Sequence, residues 1–313
     1  MTSAGFIGIG HMGWPMAANL VKSGRCAVTV YDQDGERAAR FAAEHGCAAA
    51  RTLADLASCD AIITMLPTGH DVREVLIGKG AGGGSSGEPA GRDGAQAGLA
   101  ALLRPGALVI DMSSSDPVGT RELGKALAER GLAFMDAPVS GAVPRARSGT
   151  LAIMIGCSDP ALVRRATPLL SALGERLFEV GPLGAGHAMK ALNNMVAAAG
   201  YAAAAEALLI GQRFGLEALT MLEVLNASTG RNFITEAVMK EHVIEGKYAT
   251  GFSLGLLAKD VGIAADLSAA VGLDAALTRT VSERWSLARD RLGAGRDNSE
   301  AILAWDEDLP GRK

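Results

Sequence analysis

The stretch Gly5–Leu20, GFIGIGHMGWPMAANL, decides the fold class. An apolar run is followed at once by Gly8, Gly10 and Gly13 in G-x-G-x-x-G spacing, and then by an amphipathic segment. In such a strand–turn–helix unit the first glycine permits the tight turn, the second lets the backbone approach a pyrophosphate, and the third allows close packing. Free N–H groups at the helix start also favour phosphate oxygens. The stretch therefore predicts a dinucleotide-binding βαβ unit.

An acidic residue, Asp32, ends the second predicted strand. A carboxylate there can accept hydrogen bonds from both adenosine ribose hydroxyls and would repel a 2′-phosphate. Gln33, rather than an arginine, follows it. Asp34 could take the same role, but its place before the next amphipathic segment favours a helix cap. The sequence therefore predicts NAD rather than NADP as the cofactor.

Short runs rich in Ile and Val alternate with amphipathic segments up to about residue 182. This alternation is typical of βαβ units and of a parallel sheet covered on both faces. Long Ala- and Leu-rich segments then continue to the C-terminus. We predict an α/β fold, with an N-terminal Rossmann-type doubly wound parallel sheet (residues 1–182) followed by an all-α C-terminal domain (residues 183–313). The Gly- and Ser-rich segment Gly78–Gly98 interrupts the alternation and is predicted to be a mobile surface insertion.

The composition argues against several classes of partner. The chain has 313 residues, 49% of them hydrophobic, and a net charge of −4 without a Lys/Arg block. Nucleic acid and membranes are therefore not expected as partners. The four cysteines are scattered and the histidines lack metal-ligand spacing, so neither a disulfide framework nor a metal site is indicated. The N-terminus begins a strand pattern without signal-peptide features, and a cytoplasmic location is expected.

The segment Gly181–Met195, GPLGAGHAMKALNNM, carries the residues best suited to chemistry. Lys190 and Asn194 are four residues apart and share one face of a predicted helix that is otherwise small and apolar. A partly desolvated lysine gives up its proton more readily than one in water. It can protonate a carbonyl oxygen as hydride arrives, or take the proton from an alcohol. A solvated lysine at a helix start is the alternative, and His187 could approach the same site.

Polar or turn residues also follow three predicted strands. They are Leu66 and Pro67 in MLPTGHD, Ser113–Ser115 in VIDMSSSDP, and Ser140 and Gly141 in DAPVSG. The carboxyl ends of the strands are where ligands of open α/β folds bind. A Ser-Gly turn there can offer a hydroxyl and backbone N–H groups to a carboxylate.

Taken together, these segments resemble the β-hydroxyacid dehydrogenase family, which includes 3-hydroxyisobutyrate dehydrogenase and tartronate semialdehyde reductase. The resemblance covers nearly the whole chain, and the motifs occur in the family's order. The cofactor signature corresponds to Gly8–Met16, the substrate signature to Asp136–Gly141 and the catalytic signature to Gly184–Asn194. A later segment, GFSLGLLAKD, resembles the one whose lysine approaches nicotinamide and substrate, which corresponds to Lys259.

The resemblance implies a role for individual residues. Lys190 corresponds to the essential catalytic lysine of the family. The implied substrate contacts are Ser140, Gly141, Asn194 and Lys259. The implied cofactor contacts are Gly8, Gly10, His11, Met12, Gly13, Asp32, Leu66, Pro67, Ser114 and Lys259.

The implied activity is NAD-dependent hydride transfer between nicotinamide and a small β-hydroxy acid such as 3-hydroxyisobutyrate, in a homodimer or homotetramer. One alternative is a reductase of a small semialdehyde, of the tartronate, succinic semialdehyde/glyoxylate or sulfolactaldehyde type. Another is a non-catalytic dinucleotide-binding module, although such a module is expected to lack Lys190. Ala142 stands where the family commonly has a second glycine, and Ser114 where threonine is frequent. These departures leave the substrate open.

Overall fold

The computed structural model describes residues 2–78 and 97–306. Most of the Gly78–Gly98 insertion lies outside the described residues, and its ends meet in an antiparallel bridge between Gly78 and Ala97. The chain divides into two compact units, Met1–Lys190 and Ala191–Lys313. Each unit has its own hydrophobic core.

The N-terminal unit is built on one sheet. Its strands are β1 (Ser3–Ile7), β2 (Ala27–Tyr31), β3 (Ala48–Ala49), β4 (Ala61–Thr64), β5 (Leu108–Asp111), β6 (Ala133–Asp136), β7 (Val139–Ser140), β8 (Leu151–Gly156) and β9 (Gly174–Gly181). Six of them follow the spatial order β3-β2-β1-β4-β5-β6, and all their pairings are parallel. This is the strand order of a dinucleotide-binding Rossmann sheet. The predicted fold class is therefore confirmed.

The sheet continues beyond β6 with a change of direction. β8 runs antiparallel to β6 and to β7, and β9 pairs parallel with β8. Only residues 141–150 connect β7 to β8. A parallel return would need a crossover of a dozen residues or more, whereas an antiparallel return needs only a short connection. The short connection therefore explains the antiparallel pairing.

Helices cover both faces of this sheet. They are α1 (Gly13–Lys22), α2 (Gly35–His45), α3 (Gly69–Ile77), α4 (Pro117–Ala128), α5 (Ala142–Ser148) and α6 (Pro160–Leu170). Successive strand residues alternate between two apolar clusters: Ala61 and Ile63 of β4 lie in one, and Ile62 lies in the other. The carboxylate of Asp34 accepts the Arg37 N–H at the start of α2, as its predicted cap role requires.

Apart from an isolated bridge between Ser253 and Asp297, the regular elements in the described part of the C-terminal unit are helices. Its helices are α7 (Ala185–Phe214, which begins in the N-terminal unit), α8 (Ala218–Ala227), α9 (Phe233–Ala237), α10 (Leu254–Ala270), α11 (Ala276–Leu292) and α12 (Ala301–Trp305). Trp285 is fully buried in its core, where the indole N–H donates to the Ala198 carbonyl at 3.2 Å. By length and composition alone α7 could cross a bilayer, a test that buried helices of other proteins also pass.

Candidate active site

The glycine-rich turn after β1 has the shape that a dinucleotide needs. Gly8 has φ +90°, and a Cβ there would collide with the Met65 carbonyl oxygen. A Cβ on Gly13 would collide with the Gly8 carbonyl oxygen, because α1 packs tightly against the turn. A Cβ on Gly10 would have no atom within 4 Å. The turn is therefore crowded on its protein side and open at Gly10, where a pyrophosphate would approach the backbone.

Asp32 lies directly after β2 and is buried beside this turn. Its Oδ2 accepts the Ile9 N–H at 2.9 Å, and its Oδ1 accepts the Asp34 N–H at 3.0 Å. The Arg37 guanidinium also lies 3.2 Å from Oδ1. Sequence reasoning considered only the residue next to Asp32, whereas the first turn of α2 brings an arginine back to it. Since a nearby arginine can accommodate a 2′-phosphate, the predicted preference for NAD over NADP stays a prediction.

The other predicted cofactor contacts lie in the turn or after neighbouring strands. His11 is exposed in the turn, Met12 precedes α1, Leu66 and Pro67 follow β4, and Ser114 follows β5. Because β4 and β5 are adjacent and parallel, these strand ends meet at one edge of the sheet. The Leu66 N–H donates to the Ser113 hydroxyl at 2.9 Å, which ties the two strand ends together.

A cavity of about 540 Å³ opens beside the turn. Cationic side chains lie around it, and its lining includes Gly10, His11, Arg37, Arg40 and Arg147. This charge suits the anionic part of a dinucleotide. The cavity lining contains none of the residues predicted to bind substrate or to catalyse the reaction.

Replacing Asp32 with alanine is expected to weaken NADH binding by about 10- to 100-fold, because hydrogen bonds to a charged group contribute about 1.5–3 kcal/mol. NADPH binding is expected to fall less, since the repulsion of its 2′-phosphate disappears with the carboxylate. Fluorescence titration with both cofactors measures the two affinities. Asp34→Ala is the matched control, expected to lose about 1 kcal/mol of stability as a helix cap with little change in affinity. An equal loss of NADH affinity in both variants would contradict the role of Asp32.

Ser140 and Gly141 lie at the turn between β7 and α5. Ser140 ends β7 and is half-buried, and Gly141 precedes the helix with φ +135°. Ala142, which replaces the second glycine of the family pattern, has φ +54°. The backbone thus keeps a left-handed conformation at a residue that carries a Cβ, which costs about 1–2 kcal/mol.

Ala142→Gly is therefore expected to raise the free energy of unfolding by about 1 kcal/mol. Ala146→Gly, in the middle of the same helix, is expected to lower the free energy of unfolding by about 1 kcal/mol, because glycine weakens a helix interior. Urea unfolding followed by circular dichroism compares the two variants. A loss of stability in both would show that Ala142 is not strained.

Asp136, at the end of β6, fastens the start of α7 to the sheet. Its Oδ1 accepts the Gly184 N–H at 2.7 Å and its Oδ2 accepts the His187 N–H at 2.8 Å. The carboxylate is fully buried, and burial raises its pKa, while His187 and these N–H groups act in the opposite direction. A Cβ on Gly186 would collide with the Met154 carbonyl oxygen. The glycines of this segment therefore allow α7 to start against the sheet.

The His187 side chain is enclosed between two carboxylates. Its Nδ1 lies 2.8 Å from the Thr120 hydroxyl and 3.8 Å from Asp136 Oδ2. Its Nε2 lies 3.6 Å from Asp111 Oδ2 and has no hydrogen-bond partner among residues 2–78 and 97–306. Three titratable side chains are thus buried together at the carboxyl ends of β5 and β6, within the first turn of α7.

Asp111 also organises the serines that follow β5. Its carboxylate accepts the Thr64 hydroxyl at 2.9 Å, the Ser113 N–H at 3.0 Å and the Ser115 hydroxyl at 2.9 Å. Ser113 and Ser115 are buried by these contacts, whereas Ser114 between them is half-buried. Of the three serines, only Ser114 thus keeps partial exposure at the sheet edge.

Lys190 lies in the second turn of α7 and is half-buried. Asn194 follows one turn later on the same helix face and is buried. The Asn194 side-chain amide donates to Asp260 Oδ2 at 2.7 Å, and Lys259 Nζ lies 3.3 Å from Asp260 Oδ1. The structure therefore joins two predicted substrate contacts, Asn194 and Lys259, through a buried carboxylate.

Sequence reasoning missed Asp136 as a helix cap, His187 as a buried residue and Asp260 as a bridging residue. Asp136 and Asp260 each belong to a quoted motif, DAPVSG and LLAKD, and His187 lies in GAGHAMK. The sequence signal for these residues was a carboxylate or imidazole side chain inside an otherwise apolar or glycine-rich motif. Their partners are distant in sequence, so no local pattern could identify them.

Two family models match successive parts of the chain. The NAD-binding domain of 6-phosphogluconate dehydrogenase matches residues 3–181. A domain described as NAD-binding of NADP-dependent 3-hydroxyisobutyrate dehydrogenase matches residues 184–305. Together with the geometry of the turn, they support NAD(P) as the cofactor.

Individual proteins agree with these matches. The chain is 35% identical to 2-(hydroxymethyl)glutarate dehydrogenase of Eubacterium barkeri over 309 residues, 98% of this chain and 95% of that protein. It is 36% identical to NAD-dependent L-serine dehydrogenase of Pseudomonas aeruginosa over 282 residues, 86% of each. A solved structure of Mycobacterium tuberculosis 3-hydroxyisobutyrate dehydrogenase with L-serine has a TM-score of 0.82 at 33% identity, covering 97% of this chain and 99% of that one. The chain belongs to the β-hydroxyacid dehydrogenase family.

Proposed function

We propose that this chain is an NAD(P)-dependent dehydrogenase of small β-hydroxy acids, with Lys190 as its acid/base residue. The observation that carries the proposal is the position of Lys190. It lies on a helix whose first turn is fastened by Asp136 to the carboxyl end of β6. The proposed cofactor contact Ser114 follows β5, the parallel neighbour of β6, and the proposed carboxylate contact Ser140 comes four residues after Asp136 in the chain.

The names of the relatives define a narrower substrate class. L-Serine, 3-hydroxyisobutyrate and 2-(hydroxymethyl)glutarate all carry a hydroxymethyl group on the carbon next to a carboxylate. They differ in the second substituent of that carbon, which is an ammonium, a methyl or a carboxyethyl group. We therefore propose a 3-hydroxypropanoate core as the substrate, with the variable substituent still to be identified.

Each proposed residue has one task in the reaction. Ser140 and the backbone at Gly141 bind the substrate carboxylate through a hydroxyl and N–H groups. Lys190 takes the hydroxyl proton during oxidation and returns it during reduction. When bound, the nicotinamide supplies the hydride acceptor or donor. Asn194 and Lys259 are proposed as further substrate contacts.

We also propose a homodimer or homotetramer in the cytoplasm. Val196, Ile210 and Phe214 of α7 lie on one helix face, and 66%, 69% and 85% of their surface is exposed. A row of exposed apolar side chains is typical of a surface that another protein covers. Sedimentation velocity of the intact chain tests the assembly, and a monomer at micromolar concentration would contradict it.

The decisive experiment follows NADH absorbance with a panel of acids. The panel contains 3-hydroxypropanoate, 3-hydroxyisobutyrate, L-serine and 2-(hydroxymethyl)glutarate, each with NAD and with NADP. Turnover of at least one acid is expected, with the highest kcat/KM identifying the second substituent. The matching semialdehydes with NADH test the reductase alternative, which is the same chemistry in reverse. Tight cofactor binding without turnover of any compound would favour the non-catalytic module.

A further inference from the structure

The hydrogen bonds around His187 determine which of its ring nitrogens carries a proton. The Thr120 hydroxyl donates to the Asp116 carbonyl oxygen at 2.8 Å. A hydroxyl has one hydrogen, so the Thr120 oxygen can only accept from His187 Nδ1, 2.8 Å away. Nδ1 therefore carries a proton.

The second ring nitrogen faces a carboxylate. Nε2 lies 3.6 Å from Asp111 Oδ2 and has no other partner in the described part of the chain. If the ring were neutral with its proton on Nδ1, the lone pair of Nε2 would face the Asp111 carboxylate, and the two would repel each other. A proton on Nε2 replaces this repulsion with attraction, and the low polarity of the surroundings strengthens the effect.

We propose that His187 is a buried imidazolium that neutralises the Asp111–Asp136 pair and acts as a positioning residue for Lys190. Two buried carboxylates without a counter-charge are costly, and a cation between them offsets much of that cost. His187 and Lys190 are three residues apart on α7, so their Cβ atoms lie about 5–6 Å apart. The charge of this network therefore acts on the lysine.

The ionisable groups around His187 determine the net charge of this buried cluster. The ionisable side chains facing it are Asp111 from β5 and Asp136 from β6, and α4 contributes the uncharged Thr120. Lys190 lies one turn further along α7, and Cys157, after β8, lies close enough to Asp136 to interact with its charge. Burial raises the pKa of the Cys157 thiol. A hydrogen bond with the Asp159 backbone lowers it in part, and the charges of Asp159 and Asp136 raise it, so the net shift is upward and the thiol stays neutral. The charge balance is thus set by two carboxylates and one imidazole.

The charge state is tested on the unaltered protein by NMR of ¹⁵N-histidine-labelled chain. His187 is expected to show two ring N–H groups at pH 7, assigned by their absence in His187→Gln. His70, exposed on α3, serves as the reference for a histidine outside the buried cluster in the same spectra. A single protonated ring nitrogen at pH 7 would overturn the proposal. This measurement needs no substrate, so it is independent of whether the proposed dehydrogenase function is correct.

The positioning role, which rests on the proposed function, is tested by kinetics. His187→Gln is expected to lower kcat by about 10- to 100-fold with little change in NADH affinity, because the lysine is displaced from its working geometry. The His187→Gln substitution also leaves two negative charges near Lys190. These charges favour the protonated lysine, so the pH at which the oxidation rate rises is expected to be about 1 unit higher. Adding Asp111→Asn removes one of those charges and is expected to return the profile toward that of the wild type.

A purely structural role predicts a different result. His187→Gln would then lower kcat without moving the pH profile, and Asp111→Asn would add damage rather than reverse it. Either outcome would overturn the positioning role. His70→Gln, outside this network, is the control and is expected to leave both kcat and the profile unchanged. If His187→Gln does not fold, the His187 signals are assigned by elimination, from single Gln variants of the other four histidines, His11, His45, His70 and His242, and the NMR result still decides the charge state.

Discussion

Replacing Lys190 with alanine is expected to lower kcat for the best β-hydroxy acid by about 10²- to 10⁴-fold, the range that general acid–base catalysis contributes. The NADH affinity is expected to stay within about threefold of the wild-type value, because the proposed cofactor contacts are made by residues other than Lys190. A fall in kcat with unchanged cofactor binding would assign the lysine to the chemical step. Stopped-flow measurement of NADH formation in a single turnover separates that step from product release.

Two further variants separate proton transfer from charge. Lys190→Arg keeps the positive charge but does not release a proton at working pH, so a comparable loss of kcat is expected. Lys125→Ala removes an exposed lysine near the end of α4 and is expected to have no effect. Retention of more than about a tenth of wild-type kcat in Lys190→Ala would rule out the acid/base role.

The largest stability effect is expected at Asp136. Asp136→Ala would leave two buried N–H groups, of Gly184 and His187, without an acceptor and the imidazole without one of its carboxylates. Breaking a buried charged pair by removing one partner costs about 3–5 kcal/mol. The thermal midpoint is accordingly expected to fall by roughly 10 °C, measured by circular dichroism with NADH absent.

Asp159→Ala is the matched control for this experiment. Asp159 also accepts an N–H at the start of a helix, α6, but on the exposed surface, so its loss is expected to cost about 1 kcal/mol. Asp136→Asn keeps the size and one acceptor but turns an amide NH₂ toward the other N–H group, and an intermediate loss is expected. Equal midpoints for Asp136→Ala and Asp159→Ala would contradict the role of Asp136 in holding α7.

The cofactor half of the molecule could be predicted from the sequence because its signals are local. Gly8, Gly10 and Gly13 lie within six residues, and their spacing depends only on the turn between one strand and one helix. The alternation of strands and helices and the helix-rich second unit also followed from local periodicity. The same reasoning did not predict the antiparallel β8, since strand direction depends on the length and path of a connection rather than on side-chain alternation.

The position of Lys190 on its helix could be predicted from the sequence, whereas its surroundings could not. The sequence predicted the helix and placed Lys190 and Asn194 on one face of it, because i, i+4 neighbours follow from helix geometry. It also supplied the family through motifs in a fixed order. Local spacing could not assign what surrounds these residues.

The electrostatics of the site depend on contacts that form in the folded protein. Asp136 lies 48 residues before Gly184, Asp111 lies 76 residues before His187, and Asp260 lies 66 residues after Asn194. The sheet brings together the ends of β5 and β6, and helix packing brings Asp260 to Asn194. A charge acts over a few ångströms of space whatever the distance along the chain, so its partners are set by the fold and not by the motif.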